Sequence, residues 1–189
     1  MSELNLLVVV ASTRPGRIGL PVSQWFVDVA KQHGGFQVHI ADLAEQSLPL
    51  LDEPNHPRLR NYQHDHTKRW SEKVAAADAI VFVIPEYNYG ISASLKNALD
   101  YLHSEWNYKP ASVVSYGGVS AGTRSAVALL PAAYALKMYM IADSVNIPFV
   151  GQHLDDEGVF RPTEASAVAA NNMLTELNKV AQALAPLRS

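Results

Sequence analysis

The sequence predicts a doubly wound α/β fold, with a five-stranded parallel sheet in the order 2-1-3-4-5 and helices on both faces. Short β-branched runs alternate with longer segments of helical periodicity, which is typical of a parallel sheet covered on both faces. Six of the ten glycines lie in the loops after the first, third and fourth predicted strands, which meet where the winding direction reverses: Gly16, Gly19, Gly90, Gly117, Gly118 and Gly122.

The strands are predicted from apolar runs. Residues 4–10 are apolar almost throughout, as expected for a central strand that is buried on both sides. Residues 36–43 alternate more and are expected nearer an edge. The remaining strands are residues 79–84, residues 111–116 and a fifth strand within residues 144–150.

Five helices alternate with these strands. Ile18, Val22 and Phe26 share one face of the first helix, which ends at Gly34 and Gly35. The other predicted helices are residues 59–77, a helix starting near Ser94, residues 123–140 with a kink or early break at Pro131, and a last helix capped by Thr163.

Composition indicates a single α/β domain over residues 1–189 and excludes several classes of protein. Apolar residues make up 48% of the chain and charged residues 17%, which excludes a disordered chain and a coiled coil. The net charge of -3 gives no basic surface for nucleic acid. The absence of cysteine removes disulfides, iron–sulfur clusters and thiol nucleophiles. No apolar run suits a signal peptide or a membrane span, so we expect a cytoplasmic protein with no membrane partner.

The loop after the first strand runs directly into a helix N-terminus and suits an anion. Unpaired backbone N–H groups and the helix dipole favour negative charge there. Ser12 offers a hydroxyl donor, and Arg14 and Arg17 supply positive charge. The loop lacks both the G-x-G-x-x-G spacing and the P-loop lysine, so a terminal phosphomonoester suits it better than a pyrophosphate. A tight turn with two solvated arginines is the alternative.

The loop after the third strand combines a proline with two tyrosines. Pro85 ends the strand, and Gly90 with Asn88 is expected to allow unusual backbone angles. Tyr87 and Tyr89 are aromatic surfaces suited to a planar ligand, and the neighbouring backbone N–H groups could face its polar edge. The alternative is a polar loop whose tyrosines cover the next helix.

The loop after the fourth strand places Gly117 and Gly118 directly after a buried segment. Two adjacent glycines let the chain pass flat against a ring, which Tyr116 could flank. Taken alone, this loop is equally an ordinary glycine-rich turn into a helix. The three loops together indicate a ligand with an anionic end and a planar ring.

Other reactive side chains do not predict a second site. His64 and His66 resemble a metal-binding pair, but alternate residues on a helix point apart, so no metal site is expected. Ser120 and Ser125 lack the G-x-S-x-G setting of a hydrolase nucleophile. Residues 155–157 are expected to form a solvated acidic turn.

At the three loops the sequence resembles the NADPH-dependent FMN reductase family, which has a flavodoxin-like fold and includes quinone, chromate and azo-dye reductases. The resemblance spans nearly the whole chain. Three segments carry it: Pro85 to Asn88 with Leu95 to Ala98 and Asp100, which match P-E-Y-N…L-K-N-A-x-D; Ser12-x-Arg14; and Gly117-Gly118…Gly122. Three positions depart from the family pattern: Ala11, Arg17 and Ala121.

The resemblance implies FMN as the cofactor and NADPH or NADH as the co-substrate. It assigns three groups of residues to the cofactor: Ser12, Arg14, Arg17 and Gly19 to the phosphate; Pro85, Glu86, Tyr87 and Asn88 to the ring and its polar edge; and Ser115, Gly117 and Gly118 to the opposite side. No side chain is assigned a catalytic acid or base role, because the flavin carries the chemistry.

The resemblance implies an NAD(P)H-dependent FMN or quinone reductase that transfers hydride by a ping-pong cycle. The expected acceptor is a small molecule: a quinone, a free flavin, an azo compound or a metal oxyanion. Arg124 is a conceivable contact for the 2′-phosphate of NADPH. A flavodoxin-type electron carrier and a flavin-dependent redox sensor are the alternatives. Carriers of that type are usually strongly acidic, unlike this chain at a net charge of -3.

The family also implies a homodimer or homotetramer. Tyr101, Leu102 and Trp106 are large residues near a helix end and are candidates for the paired surface. The alternative is that they complete the core.

Overall fold

The structure is a computed structural model that describes residues 3–188. The strands in this range are β1 (Leu4–Val10), β2 (Phe36–Asp42), β3 (Ala79–Pro85), β4 (Pro110–Tyr116), β5 (Tyr139–Met140) and β6 (Val145–Ile147). The α-helices are α1 (Gly19–His33), α2 (Leu43–Gln46), α3 (Asp65–Ala75), α4 (Ala93–Asp100), α5 (Thr123–Ala135) and α6 (Glu164–Leu184). Short 3₁₀ turns lie at Pro57–Leu59, Ser104–Trp106, Val150–His153 and Ala185–Leu187.

The strands form one parallel sheet in the order β2-β1-β3-β4-β5, which confirms the predicted doubly wound fold. The central strands β3 and β4 are buried throughout, and β2 lies at the edge as predicted. The fifth strand predicted within residues 144–150 is confirmed by β6, and an unpredicted two-residue strand, β5, lies at the end of the helix predicted over residues 123–140; both strands pair with β4. Between them the Ser112 hydroxyl donates to the Asp143 carbonyl, so a side chain holds the connection beside the sheet.

Each face of the sheet has its own apolar core. Alternate residues of β1 point to opposite faces, so Leu7 and Val9 join one cluster and Leu6 and Val8 join the other. The first cluster contains residues of α3, α4 and α5, and the second contains residues of α1 and α6. The two cores hold the sheet rigidly between helices and leave the loops at the strand ends free to form a site.

Two helices differ from their predicted bounds. We predicted a helix over residues 59–77, but α3 begins only at Asp65, because the Glu53 carboxylate accepts the backbone N–H groups of Gln63 and His64 and holds them outside the helix. The helix predicted over residues 123–140 ends at Ala135. Pro131 lies inside α5 and the chain reverses at Lys137, whose φ is 55°.

The structure decides between the two alternatives for one set of large residues and corrects the helical geometry expected for a histidine pair. Tyr101, Leu102 and Trp106 are at most 1% exposed, so they complete the core and are not available for a paired surface. His64 precedes α3 rather than lying within it, and its ring stacks on that of His66 with centroids 5.2 Å apart. Among residues 3–188, no cluster of His, Asp and Glu is arranged to hold a metal ion.

The acidic turn at residues 155–157 is more structured than predicted. The Asp155 carboxylate accepts the backbone N–H groups of Glu157 and Val159 and pairs with Arg161. This carboxylate therefore closes a turn rather than lying free in solvent.

Of the helices within residues 3–188, none is both long enough and apolar enough to span a membrane.

Candidate functional site

The loop that joins β1 to α1 forms a cup at the helix N-terminus. Arg14 and Arg17 are the ends of a tight turn, closed by a 3.1 Å hydrogen bond from the Arg17 amide to the Arg14 carbonyl. Gly16 has a φ of 69°, the left-handed conformation that a type II turn requires after a proline. No side chain caps α1 at Ile18, and its first turn holds no acidic residue. The N-terminal backbone N–H groups are therefore left for an anion.

Two buried hydroxyl groups lie at the base of this cup. Ser12 is 0% exposed and Tyr116 is 5% exposed; their hydroxyls interact with each other, and neither has another hydrogen-bond partner within residues 3–188. A methyl group on Gly19 would lie 2.5 Å from Tyr116 Oη and closer still to Ser12 Oγ. Gly19 is therefore needed so that both hydroxyls can approach the first residue of the helix. Burial raises the pKa of Tyr116 to about 12, so its hydroxyl stays protonated at neutral pH.

The two arginines of the cup have different environments. Arg17 forms a two-point ion pair with Asp42 at the end of β2, and it also donates to the Ser12 carbonyl at 2.6 Å. Its side chain is 15% exposed. Arg14 is exposed, and its guanidinium has no ion-pair partner in the described part of the chain. Arg17 therefore fastens the loop to β2, while Arg14 is the cation that remains free.

The loop after β3 is a two-residue hairpin. Tyr87 and Gly90 exchange backbone hydrogen bonds of 3.1 and 2.9 Å. The residues between them, Asn88 and Tyr89, have φ values of 50° and 67°, which confirms the unusual angle expected at Asn88 and corrects the one expected at Gly90. The Tyr87 amide is engaged in this hairpin, so it is not free to face a ring. Both tyrosines are exposed at the tip, 40% for Tyr87 and 67% for Tyr89.

A polar clasp joins this hairpin to the start of α5. It consists of Glu86, Ser120, Arg124 and Tyr89. One oxygen of Glu86 accepts from Ser120 Oγ at 2.9 Å, and the other accepts from Arg124 Nε at 2.7 Å. The Arg124 guanidinium also lies 3.9 Å from the centre of the Tyr89 ring. Desolvation opposes ionisation of Glu86, but the hydrogen bonds from Ser120 and Arg124 outweigh it and lower its pKa.

The glycine-rich loop after β4 is shaped by internal contacts. The Ser115 hydroxyl is buried and lies 2.8 Å from both the Ala121 carbonyl and the Asn146 side-chain oxygen. Gly117 donates its amide to the Ile147 carbonyl. A methyl group on Gly118 would meet nothing within 4 Å, so this stretch of backbone borders open space. Ser115 therefore acts as an internal support, and Gly118 offers the accessible surface.

The structure brings the three predicted loops together at one edge of the sheet. Tyr116 and Pro85 are paired neighbours in β4 and β3, and Ala11 donates its amide to the Val83 carbonyl. The start of α4 joins the same edge, because the hydroxyls of Ser92 and Ser94 donate to the Ala11 carbonyl.

Sequence reasoning missed Asp42 as the partner of Arg17, although an acidic residue at the end of a neighbouring strand was a usable signal.

Comparisons with known proteins agree with this geometry. The sequence profile of the family described as NADPH-dependent FMN reductase matches residues 4–152. An NAD(P)H-dependent FMN reductase of Schizosaccharomyces pombe is 42% identical over 120 residues, which are 62% of this chain and 60% of that protein. An NADPH:quinone oxidoreductase of Arabidopsis thaliana is 34% identical over 103 residues, 52% of this chain and 50% of that protein. This chain therefore aligns with only part of the length of these two relatives.

The fold also has a close match among solved structures. The flavoenzyme NAD(P)H:(acceptor) oxidoreductase FerB of Paracoccus denitrificans superposes with a TM-score of 0.73. The match covers 95% of this chain and 97% of that chain at 18% sequence identity. At that identity the similarity supports the flavodoxin-like fold and no finer statement.

Proposed function

This chain belongs to the NADPH-dependent FMN reductase family, and we propose that it binds FMN and uses NAD(P)H to reduce a small diffusible acceptor. A quinone, a free flavin, an azo compound and a metal oxyanion are the acceptor classes that the proposal includes. The names of the relatives support the reductase class. The proposed cycle is ping-pong, with co-substrate and acceptor using the same open face in turn.

The observation that carries this proposal is the pair of buried hydroxyls beneath the α1 cup, which have no acceptor other than each other within residues 3–188. Buried polar groups in native proteins are nearly always hydrogen-bonded, and leaving one unpaired costs about 1–3 kcal/mol. Ser12 and Tyr116 together with the uncapped helix end supply donors for a terminal phosphate. Arg14 adds a free positive charge at the mouth of the cup. This donor set fits the phosphate of FMN.

The other two loops fit a planar ring. The hairpin tip presents the exposed side chains of Tyr87 and Tyr89, and Gly118 borders open space on the other side. The Glu86–Arg124 contact connects the two loops and sets their spacing. We propose that the ring lies between them, with the backbone of residues 85–88 along its polar edge.

The residues of this chain orient and stabilise rather than transfer protons. When bound, FMN supplies the hydride-accepting and hydride-donating chemistry. Arg14 and the backbone N–H groups of the cup hold the anionic end in place, which limits the positions that the ring can take. Arg17 does not need to contact the ligand for this role, because its ion pair with Asp42 already fixes the shape of the loop.

A reconstitution experiment tests the proposed function. The purified protein is mixed with FMN, the excess is removed, and the visible spectrum is recorded before and after NADPH and then a quinone in air. We expect retained flavin that NADPH bleaches and the quinone restores over many cycles. Colourless protein after removal of the excess would contradict FMN binding. A single bleaching without turnover would favour a carrier or a sensor.

The Arg14→Ala variant tests the phosphate end of the site. Removing the free cation should raise the Kd for FMN at least tenfold while leaving the fold intact, since hydrogen bonds to charged groups contribute about 1.5–3 kcal/mol. Fluorescence titration measures the affinity. Arg69→Ala, at an exposed arginine of α3, is the matched control and should bind FMN like the wild type. Unchanged FMN affinity in Arg14→Ala would show that the phosphate lies elsewhere.

A further inference from the structure

Tyr116 is a buried tyrosine whose hydroxyl makes no hydrogen bond to the backbone or to a charged side chain within residues 3–188. It ends β4, where pairing with Pro85 on one side and Ile147 on the other fixes its position. Its ring packs in the core between the sheet, α1 and α6. A phenylalanine would fill the same space without burying an unpaired oxygen, so packing alone does not account for the hydroxyl.

Other tyrosines that are held against the core satisfy their hydroxyls. Tyr101 Oη lies 2.9 Å from an Asp52 carboxylate oxygen, and Tyr62 Oη lies 2.8 Å from a Glu105 carboxylate oxygen. Tyr116 Oη is shielded from solvent and interacts with the Ser12 hydroxyl, but it has no carboxylate or backbone partner within residues 3–188. This contrast within one chain points to a partner that the protein itself does not provide.

The surroundings of the hydroxyl indicate the charge of that partner. Tyr116 Oη and Ser12 Oγ both occupy the space where a Cβ on Gly19 would lie, at the positive end of α1. Arg14 and Arg17 act on Tyr116 electrostatically. The acidic residue in contact with the cup is Asp42, and it is paired with Arg17. Since burial keeps Tyr116 protonated at neutral pH, its hydroxyl can donate a hydrogen bond to an anion.

We propose that Tyr116 and Ser12 form a paired hydroxyl donor for the terminal phosphate of FMN, and that Tyr116 makes the site select phosphorylated flavin over riboflavin. The inference rests on the proposed function, because it assigns a residue within the same site. It differs from the sequence expectation, in which Tyr116 flanks the ring. A residue that contacts the phosphate affects FMN alone, whereas a residue that contacts the ring affects both flavins.

The test compares FMN and riboflavin on wild-type protein and on Tyr116→Phe by quenching of flavin fluorescence. We expect Tyr116→Phe to raise the Kd for FMN about tenfold and to leave the Kd for riboflavin within about twofold. Thermal unfolding gives a second readout. Without flavin, Tyr116→Phe should unfold at or above the wild-type temperature, because it no longer buries an unpaired hydroxyl. Its stabilisation by FMN should be smaller.

Tyr101→Phe is the matched control, because it also removes the hydroxyl of a buried tyrosine but lies outside the three loops. It should leave the ratio of FMN affinity to riboflavin affinity unchanged. An equal loss of both affinities in Tyr116→Phe, or no loss of either, would overturn the proposal. Wild-type protein that binds neither flavin would instead contradict the proposed function and this inference with it. Riboflavin binding as tight as FMN binding in the wild type would overturn only the inference.

Discussion

Two buried polar clusters lie at opposite ends of the sheet and differ in how they are satisfied. Near the start of β4, the Glu105 carboxylate accepts from Ser71 Oγ at 2.7 Å and from Tyr62 Oη at 2.8 Å, and Arg60 lies 3.4 Å away. At the other end, where the strands finish, the hydroxyls of Ser12 and Tyr116 have no partner but each other within residues 3–188.

The difference separates a structural role from a binding role. A buried carboxylate with several donors stabilises the packing of the elements that supply those donors. A buried donor without an acceptor costs stability, and at the Ser12–Tyr116 pair we propose that a ligand supplies the acceptor. The comparison therefore predicts that changes at Glu105 alter stability with little effect on flavin affinity. Changes at the Ser12–Tyr116 pair should alter flavin affinity with little loss of stability.

The largest expected effect is at Glu105. Glu105→Ala leaves the hydroxyls of Ser71 and Tyr62 without their acceptor and opens a cavity, so we expect a loss of about 3–5 kcal/mol in the free energy of unfolding. Urea denaturation measures it. Protein that remains folded should keep its FMN affinity within about twofold, since Glu105 lies at the other end of the sheet. A loss of FMN binding free energy larger than the loss in the free energy of unfolding would contradict a purely structural role for Glu105.

The pH dependence of stability sharpens the same point. Burial opposes ionisation of Glu105, but hydrogen bonds from Ser71 and Tyr62 hold its pKa below the ordinary value of 4.5. The unfolded state therefore takes up this proton at a higher pH than the folded state does, and stability falls as the pH drops below about 4.5. Glu105→Gln, measured by urea denaturation across this range, should lose less stability on acidification than the wild type. If Glu105→Gln and the wild type lose unfolding free energy equally steeply below about pH 4.5, other carboxylates cause the acid sensitivity.

The next effect is at the opposite end of the sheet. Gly19→Ala places a methyl group against Tyr116 Oη and Ser12 Oγ, and such overpacking costs about 1–3 kcal/mol. We expect the Kd for FMN to rise at least tenfold, because the cup must widen to accept the methyl group. Gly151→Ala is the control, since a methyl group there would meet nothing within 4 Å. Equal FMN affinity in the two variants would mean that the close approach at Gly19 has no role in binding.

The sequence predicted features that depend on a single run of residues and missed features that depend on contacts with other segments. The bounds of β1 were predicted correctly because an apolar run buried on both faces is visible without knowledge of its neighbours. The start of α3 was missed because the Glu53 carboxylate, ten residues earlier in a loop without periodicity, accepts the preceding amides. The role of Arg17 was incomplete for the same reason, since its partner Asp42 comes from another strand. Motifs predicted the loops of the candidate site, and tertiary contacts show which of their side chains are already paired within the protein.

The smallest expected effect concerns Arg124. This residue belongs to the candidate site, but its guanidinium is already ion-paired with Glu86. Because Glu86 and the Tyr89 ring already engage its guanidinium, we expect Arg124→Ala to change the ratio of kcat/KM for NADPH to that for NADH by less than about threefold. Steady-state kinetics with both co-substrates measure it, and Lys96→Ala, at an exposed lysine that is also ion-paired, is the control. A tenfold loss confined to NADPH would show that Arg124 leaves Glu86 to bind the 2′-phosphate.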